Sequence, residues 1–128
     1  MLKLPQQTVR EIVMLQISPS SRIFVCVQLV DFRKGIDGLA AVCRNILDQD
    51  PFQGTVFVFR NRARTTIRLL VYDGQGFWLC TKRLSKGTFR WWPTDSSVVD
   101  VKHLQTLLWN GNPESAQFSN DWKKIHVQ

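Results

Sequence analysis

Apolar residues between Asp31 and Asp50 recur at the spacing of one helix face. Successive members lie four, three, one, three, three and one residues apart, which matches a period of 3.6 residues; they are Phe32, Ile36, Leu39, Ala40, Cys43, Ile46 and Leu47. Asp31 is a natural N-cap, and the proline after Asp50 supplies a stop. Gly35 and Gly38 each cost about 1 kcal/mol in a helix interior. We therefore expect either a close approach by another backbone or a helix that begins only near Ile36.

Strand-like segments lie on both sides of this helix. Apolar runs bounded by turn residues predict strands at residues 23–27, 55–60, 66–72, 77–84 and 89–92. The second run is continuously apolar in its middle, so both of its faces are expected to be covered. Residues 73–76 form a strong hairpin turn, because their glycines can take positive φ. A second helix is expected at residues 100–109.

Together these elements predict an α+β domain. A mostly antiparallel sheet of about five strands, with a meander over residues 55–92, packs against the helix at 31–50, and a second helix lies near the C-terminus. At 128 residues the chain is long enough for one domain, which we assign to residues 21–111. We assign residues 1–20 to an N-terminal extension, whose ambiguous pattern allows a short helix capped by Thr8. Residues 112–128 are a polar tail whose apolar stripe either docks on the core or awaits a partner: Phe118, Trp122 and Ile125.

The cysteines and the apolar runs set the expected compartment. Cys26, Cys43 and Cys80 are far apart and form no CxxC pair, so they suggest neither a disulfide framework nor a zinc ribbon. No apolar run approaches 18 residues, and the first residues lack the apolar core of a signal peptide. We expect a soluble cytoplasmic protein without a membrane partner.

Positive charge is concentrated in one stretch of the chain. Residues 60–90 contain a single acid, Asp73, and eight cations: Arg60, Arg62, Arg64, Arg68, Lys82, Arg83, Lys86 and Arg90. Elsewhere nine Lys and Arg balance nine Asp and Glu, so the net charge of +7 resides in this stretch. Such a local field attracts polyanions, of which nucleic acid is the commonest in a cell. The alternative is a solvated surface that keeps the protein soluble.

The predicted meander sorts these charges to one end of the sheet. Alternate turns of antiparallel strands lie at opposite ends, so the connections at 61–65 and 85–87 share one end and the 73–76 turn lies at the other. The register that follows from this turn pairs Tyr72 with Phe77, Arg68 with Thr81 and Thr66 with Arg83. Their face is apolar near the glycine turn and cationic at the far end. The opposite face, which carries Leu69 and Trp78, is expected to be core.

We predict that this basic rim contacts phosphates, since the planar fork of arginine suits phosphate oxygens. An acidic protein surface is the alternative partner. Aromatic residues interleave with the cations, as on surfaces where bases stack on rings, but aromatic residues also pack well in strands. Core packing is the favoured interpretation, and Trp92, just before Pro93, is the candidate for an exposed base-stacking residue.

A catalytic site is not expected. His103 and His126 have no cysteine or second histidine at metal-ligand spacing. A two-metal nuclease site needs several well-placed carboxylates, whereas Asp31 and Asp37 look like helix-start residues and Asp73 like a turn residue. We therefore predict a protein that is not an enzyme and that has no metal, cofactor or small-molecule substrate.

Several spaced motifs within residues 21–111 resemble those of a known family. They are residues 31–40 (DFRKGIDGLA), Asp50-Pro51-Phe52 with Gly54, residues 56–62 and 73–77, and Lys82-Arg83-Leu84 followed by Gly87, Phe89, Trp91 or Trp92, and Pro93. In this order they are similar to the small accessory proteins, often labelled TnpB or Orf2, of bacterial insertion sequences of the type numbered sixty-six. That family is unrelated to the RNA-guided nucleases that share the TnpB label. The chain departs from it at Val30, where a threonine usually stands, in its double tryptophan, and in its leading twenty residues.

The resemblance implies a non-catalytic helper for transposition, encoded beside a larger transposase that carries out strand transfer. Combined with the basic stretch, it predicts an accessory protein that binds DNA or a nucleoprotein complex through the sheet edge. The expected partners are DNA, the transposase and other element-encoded proteins. The alternative function is a protein-interaction module that docks on the transposase or on a second accessory protein without touching nucleic acid.

Overall fold

The computed structural model describes residues 21–112. In chain order its elements are strand β1 (Ile23–Val30), a 3-10 helix (Phe32–Lys34), helix α1 (Gly35–Asn45), strands β2 (Val56–Asn61), β3 (Thr66–Tyr72), β4 (Phe77–Arg83) and β5 (Ser97–Val99), and helix α2 (Val101–Leu108). The predicted helix after Thr8, the stripe of Phe118, Trp122 and Ile125, and His126 lie outside the described residues. Across residues 21–112, no helix combines the length and the apolar character needed to cross a membrane.

The five strands form one mixed sheet in the order β4-β3-β2-β1-β5. β1 and β2 are parallel, with α1 in the connection between them, and the other three pairs are antiparallel. The predicted α+β class with a mostly antiparallel sheet is therefore confirmed. β3 and β4 also have the predicted register, since Tyr72 faces Phe77 and Thr66 faces Arg83.

The fifth strand is not the one predicted. Residues 89–92 are irregular and pack against one face of the sheet, with Phe89 1% and Trp92 8% exposed. Aromatic residues favour strands, but here the rings anchor a non-strand segment, and the indole N–H of Trp92 donates to the carbonyl of Cys26 at 2.8 Å. The fifth strand is β5, whose three residues are too few to show an alternating pattern.

Both faces of the sheet are buried. One hydrophobic cluster contains Val58 and joins β2 to α2, and the other contains Phe57 and joins β2 to α1. The continuous apolar run of β2 thus has cover on both sides, as predicted. The face of Leu70, predicted to be apolar near the glycine turn and cationic at the far end, is core as well, because α1 packs on it and leaves Leu70 0% exposed.

The chain passes from β1 into α1 through the 3-10 helix. The carboxylate of Asp31 accepts a hydrogen bond from the backbone N–H of Arg33 at 2.9 Å, so the predicted cap serves the 3-10 turn. α1 begins at Gly35, which has a φ of 66°, close to the later of the two predicted starts. At Gly38 an added side chain would collide with the Cβ of Lys34. This contact with a side chain, rather than with another backbone, explains the second glycine.

Cys43 provides a test of the core between α1 and the sheet. It is fully buried there, and burial raises the pKa of its thiol to about 12. At pH 8 this lowers the thiolate fraction about a thousandfold relative to a free cysteine, and the thiolate is the reactive form. We expect iodoacetamide to alkylate Cys43 at least about a hundredfold more slowly in the folded protein than in concentrated guanidinium chloride. Mass spectrometry of the tryptic peptide measures both rates, and equal rates would contradict the buried position.

Candidate nucleic-acid interface

One end of the sheet gathers connections from four strands. β1 and β2 finish there, β3 begins there and β4 finishes there, as the pairs Val30–Asn61 and Thr66–Arg83 show. The segments at 61–65 and 84–89 touch, because the backbone N–H of Leu84 donates to the carbonyl of Thr65 at 2.9 Å. The 73–76 turn lies at the opposite end. The predicted sorting of the connections is confirmed.

Five exposed cations stand on and beside these two connections, and together they define what we call the basic edge: Arg62, Arg64, Arg83, Lys86 and Arg90. The first two belong to the 61–65 connection, and the other three flank or occupy the 85–87 turn. Within residues 21–112, none of the five is within salt-bridge distance of a carboxylate. Their charges therefore add to one positive potential at this end of the sheet.

The side chain of Asn61 fixes the first connection. Its Oδ1 accepts hydrogen bonds from the backbone N–H groups of Thr65 at 2.9 Å and Thr66 at 3.1 Å, and its Nδ2 donates to the Thr65 hydroxyl at 3.2 Å. Arg64 has a φ of 63°, a left-handed conformation that arginine rarely adopts. The turn thus holds Arg62 and Arg64 at an exposed tip.

Phe89 and Asn110 fix the second connection. The backbone N–H of Phe89 donates to the carbonyl of Arg64 at 2.8 Å, while its ring is buried. The side chain of Asn110, just after α2, accepts from the Arg90 N–H at 2.8 Å and donates to the Thr88 carbonyl at 2.9 Å. Because Phe89 is held inward, the next side chain, Arg90, is left on the surface.

The parallel strand β1 brings three more charged residues to this end, where the predicted meander did not place them: Asp31, Arg33 and Lys34. Arg33 binds the carboxylate of Asp31 through two nitrogens, with Nε to Oδ1 at 3.1 Å and Nη2 to Oδ2 at 2.8 Å. These hydrogen bonds, and to a smaller degree the charge of Arg62, hold the pKa of Asp31 well below its usual range. Since Arg33 neutralises this acid, it does not cancel the basic edge.

Arg60 is buried rather than exposed. It continues the face of β2 that carries Val58, and it is 8% exposed. Its Nη1 donates to the carbonyl of Phe89 at 3.1 Å, and its guanidinium lies 4.7 Å from the centre of the Trp92 ring. Burial, and then the charge of Arg64, lower its pKa. Arg60 therefore holds the 89–92 segment against β2. Because it is buried, it is no longer a candidate phosphate ligand.

Arg68 and Lys82 are half-buried and lie on opposite faces of the sheet. Arg68 donates to the backbone carbonyl of Phe32 at 3.0 Å, and its guanidinium lies 4.7 Å from the centre of the Phe32 ring. Lys82 donates to the carbonyl of Leu108 at the end of α2, with its ammonium 4.9 Å from the centre of the Trp109 ring. Both cations add to the positive potential, but contacts within the fold hold them, so we do not count them in the basic edge.

Trp92 is not available for base stacking. It is buried, and its indole N–H is bound to a backbone carbonyl of β1, so its assignment as an exposed ring is wrong. Trp109 also lies at this end and has 48% of its surface exposed. It was not singled out from the sequence as an exposed aromatic residue. Its position just outside the apolar stripe of α2, after Leu108, is the signal that could have identified it.

The carboxylates considered for metal chemistry are far apart. Asp31 caps the 3-10 helix at the basic end, whereas Asp73 lies in the turn at the opposite end. Asp73 accepts hydrogen bonds from the backbone N–H groups of Gly76 at 2.9 Å and Gln75 at 2.8 Å and from the indole of Trp78 at 2.8 Å, and these lower its pKa. In the part of the chain that the structure describes, no group of three or more His, Cys, Asp or Glu could hold a metal ion.

The comparisons with known proteins agree with the sequence motifs. Residues 21–117 match the model of the family described as IS66 Orf2-like protein. The uncharacterised protein y4jC of Sinorhizobium fredii is 41% identical over 80 residues, which cover 62% of this chain and 68% of that relative. The uncharacterised protein y4hO of the same organism is 32% identical over 92 residues, which cover 72% of this chain and 80% of that relative. No solved structure gives a significant match. The chain belongs to the IS66 Orf2-like family, whose members are associated with transposition of insertion sequences.

The two arginines at the end of β2 should differ in their effect on stability. Arg60→Ala removes a buried hydrogen bond and a ring contact and leaves the Phe89 carbonyl without its partner. We expect it to lower the free energy of unfolding by about 2–4 kcal/mol. Arg62→Ala, the matched exposed control, should change it by less than about 0.5 kcal/mol. Urea denaturation followed by tryptophan fluorescence measures both, and equal effects would contradict the structural role of Arg60.

Proposed function

We propose that the basic edge binds the phosphate backbone of DNA and that the protein serves transposition as a non-catalytic accessory factor. The observation that carries the proposal is the set of five exposed cations on two touching connections, which no carboxylate of residues 21–112 neutralises. The association of the family with transposition supports DNA as the polyanion that this surface binds. A basic edge without that association would suit an acidic protein equally well.

The spacing of the basic edge suits a phosphate backbone. Neighbouring strands of a sheet lie about 4.8 Å apart, and the phosphates of one DNA strand follow one another about every 3.4 Å along the helix axis. Cations from the ends of β2, β3 and β4 therefore offer positive charges at a separation comparable to that of successive phosphates. Four of the five are arginines, whose planar fork binds phosphate oxygens in pairs. Contacts of this kind position a protein on a duplex without reading base edges, so we expect little dependence on DNA sequence.

Salt dependence tests the phosphate contacts. If the basic edge neutralises about four phosphates, the logarithm of the binding constant for a labelled duplex falls with the logarithm of salt concentration at a slope of roughly −3.6. Combining Arg62→Glu with Arg64→Glu should weaken binding and reduce the slope by about half, because two contacts are lost. Fluorescence anisotropy measures both quantities. No binding at low ionic strength, or a slope that the double reversal leaves unchanged, would overturn the proposal.

Arg64→Asn separates DNA contact from folding. Asparagine tolerates the left-handed backbone at this position better than arginine does, so the free energy of unfolding should be unchanged or raised by up to about 1 kcal/mol. Loss of one phosphate contact should lower the salt slope by about one unit and weaken duplex binding. The matched control is Arg44→Asn, an exposed position in the last turn of α1 outside the basic edge. An equal loss of affinity in the control would show that only net charge matters and would contradict the proposed contact.

The non-catalytic role is tested with the purified protein and element-end DNA in the presence of magnesium. We expect neither cleavage nor strand transfer by the protein alone. A cleavage activity that Asp73→Ala abolishes would contradict this part of the proposal.

The alternative function, docking on the transposase or a second accessory protein, is distinguished by the same double reversal. If the basic edge binds an acidic protein surface, Arg62→Glu with Arg64→Glu abolishes capture of the purified partner and leaves duplex affinity unchanged. If the basic edge binds DNA, the double reversal lowers the duplex affinity.

A further inference from the structure

A groove of about 290 Å³ lies beside the basic edge, between α1 and the end of β1. Residues 28–31 form one wall. The other wall is the side of α1 that carries Gly38, Ala41, Val42, Asn45 and Ile46. Lys34 and Arg62 complete the lining. Arg62 therefore faces both the basic edge and this groove.

The groove has a cationic end and an apolar end. α1 runs back along β1, because the guanidinium of Arg22, just before β1, contacts the amide oxygen of Gln49, just after α1, at 3.4 Å. Lys34 therefore lies near the end of β1 and the basic edge, and Ile46 lies toward the other end of the groove. The side chain of Ile46 is 53% exposed.

The β1 wall is an open sheet edge. β5 pairs only with residues 23–25 of β1, so among residues 21–112 no strand covers residues 28–30 on that side. The backbone just before this stretch is already bonded, since the N–H of Val27 donates to the Ser96 hydroxyl at 2.8 Å and the Cys26 carbonyl accepts from Trp92. An uncovered edge is where an extended peptide adds to a sheet through backbone hydrogen bonds.

The α1 wall leaves room for the side chains of such a peptide. Gly38 has no side chain and Ala41 only a methyl group, and both are half-exposed. Beyond them Ile46 offers an exposed apolar surface. In an added strand alternate side chains face the same way, so apolar residues at every second position would cover this wall.

Charge decides which peptide fits. At the basic end Arg33 already takes up the carboxylate of Asp31, so Lys34 and Arg62 leave that end of the groove positive. We infer that the groove binds an extended segment of a partner protein in which alternating apolar residues are followed by one or two carboxylates. The apolar side chains pack on Ala41 and Ile46, and the carboxylates meet Lys34 and Arg62. This inference goes beyond DNA binding by the basic edge and does not depend on it.

A second copy of the chain is a poorer occupant of the groove. Edge-to-edge pairing through residues 28–30 would bring the basic ends of two copies together across about 10 Å, since a strand rises about 3.3 Å per residue. The Lys34 and Arg62 side chains of the two copies would then lie within about one Debye length of each other, where like charges repel at physiological salt. The carboxylates of an acidic segment would instead be attracted to Lys34 and Arg62.

A library of random nine-residue peptides displayed on phage tests the inference. The library is selected on the wild-type protein and counter-selected on Ala41→Gln, which fills the groove with a good helix-forming residue. We expect enriched peptides to alternate apolar and polar residues and to carry Asp or Glu at one end. A synthetic peptide of the enriched sequence should bind the wild-type protein at least about tenfold more tightly than Ala41→Gln or Lys34→Gln, a difference of about 1.4 kcal/mol. Arg44→Gln, on α1 but outside the groove, is the matched control and should bind like the wild type.

The same variants keep this test apart from the DNA proposal. Ala41→Gln should retain the thermal midpoint and the duplex affinity of the wild type, and nuclear magnetic resonance should place the peptide against the amides of residues 28–30, Gly38 and Ala41. Enrichment of no sequence, enrichment of basic peptides, or equal peptide affinity for Ala41→Gln would overturn the inference. A dimer in sedimentation velocity that Ala41→Gln dissociates would assign the groove to a second copy and would overturn it as well.

Discussion

The parallel pairing of β1 with β2 is the constraint on which the surface of this domain depends. Two parallel neighbours end at the same side of a sheet, so the residues after β1 meet those after β2, as the pair Val30–Asn61 shows. An antiparallel β1 would carry Asp31, Arg33 and Lys34 to the end where Asp73 lies. The pairing also requires a crossover, and α1 supplies it while covering one face of the sheet. The same arrangement therefore creates the core, the charged end and the groove between α1 and the edge of β1.

A second constraint is the buried contact of Arg60 with the 89–92 segment. A charged group costs free energy when it leaves water unless polar partners replace the solvent. Here the carbonyl of Phe89 and the face of the Trp92 ring replace the solvent around part of the guanidinium. The Nε of Arg60 has no hydrogen-bond partner among the described residues. The contact fixes the irregular segment on the sheet. Together with the bonds that Phe89 makes to Arg64 and Asn110 makes to Thr88 and Arg90, it leaves Arg90 on the surface and keeps the 85–87 turn beside the 61–65 connection.

Sequence reasoning succeeded where the signal is local and failed where it depends on distant partners. The turn chemistry at residues 73–76 correctly implied the register of β3 and β4, and the helix-face spacing located α1. Arg60 could have been placed correctly, since it stands two residues after Val58 on an alternating strand and so continues a buried face. The parallel pairing of β1 with β2 could also have been predicted, because a strand, a helix and a strand in succession favour a parallel crossover. β5 has too few residues to show the alternating pattern of a strand. The aromatic residues at 89–92 have the composition of a strand, and only their burial in the folded structure shows that they are core anchors.

Arg62 connects the two surfaces for which binding is proposed. It belongs to the basic edge and also lines the groove, and its charge already acts on the nearby carboxylate of Asp31. In the two proposed complexes, a phosphate bound to this guanidinium would take it from a carboxylate in the groove, so the two ligands would compete for one hydrogen-bonding group. Thermodynamic linkage makes such a coupling reciprocal: a partner segment in the groove weakens DNA binding by the factor by which DNA weakens the segment. Lys34 belongs to the groove alone, and the other four cations of the basic edge lie outside the groove. Because the two surfaces share only Arg62, the coupling is partial. With both proposed contacts in place, the domain would hold a nucleic acid and a protein segment together, and each ligand would make the other easier to release.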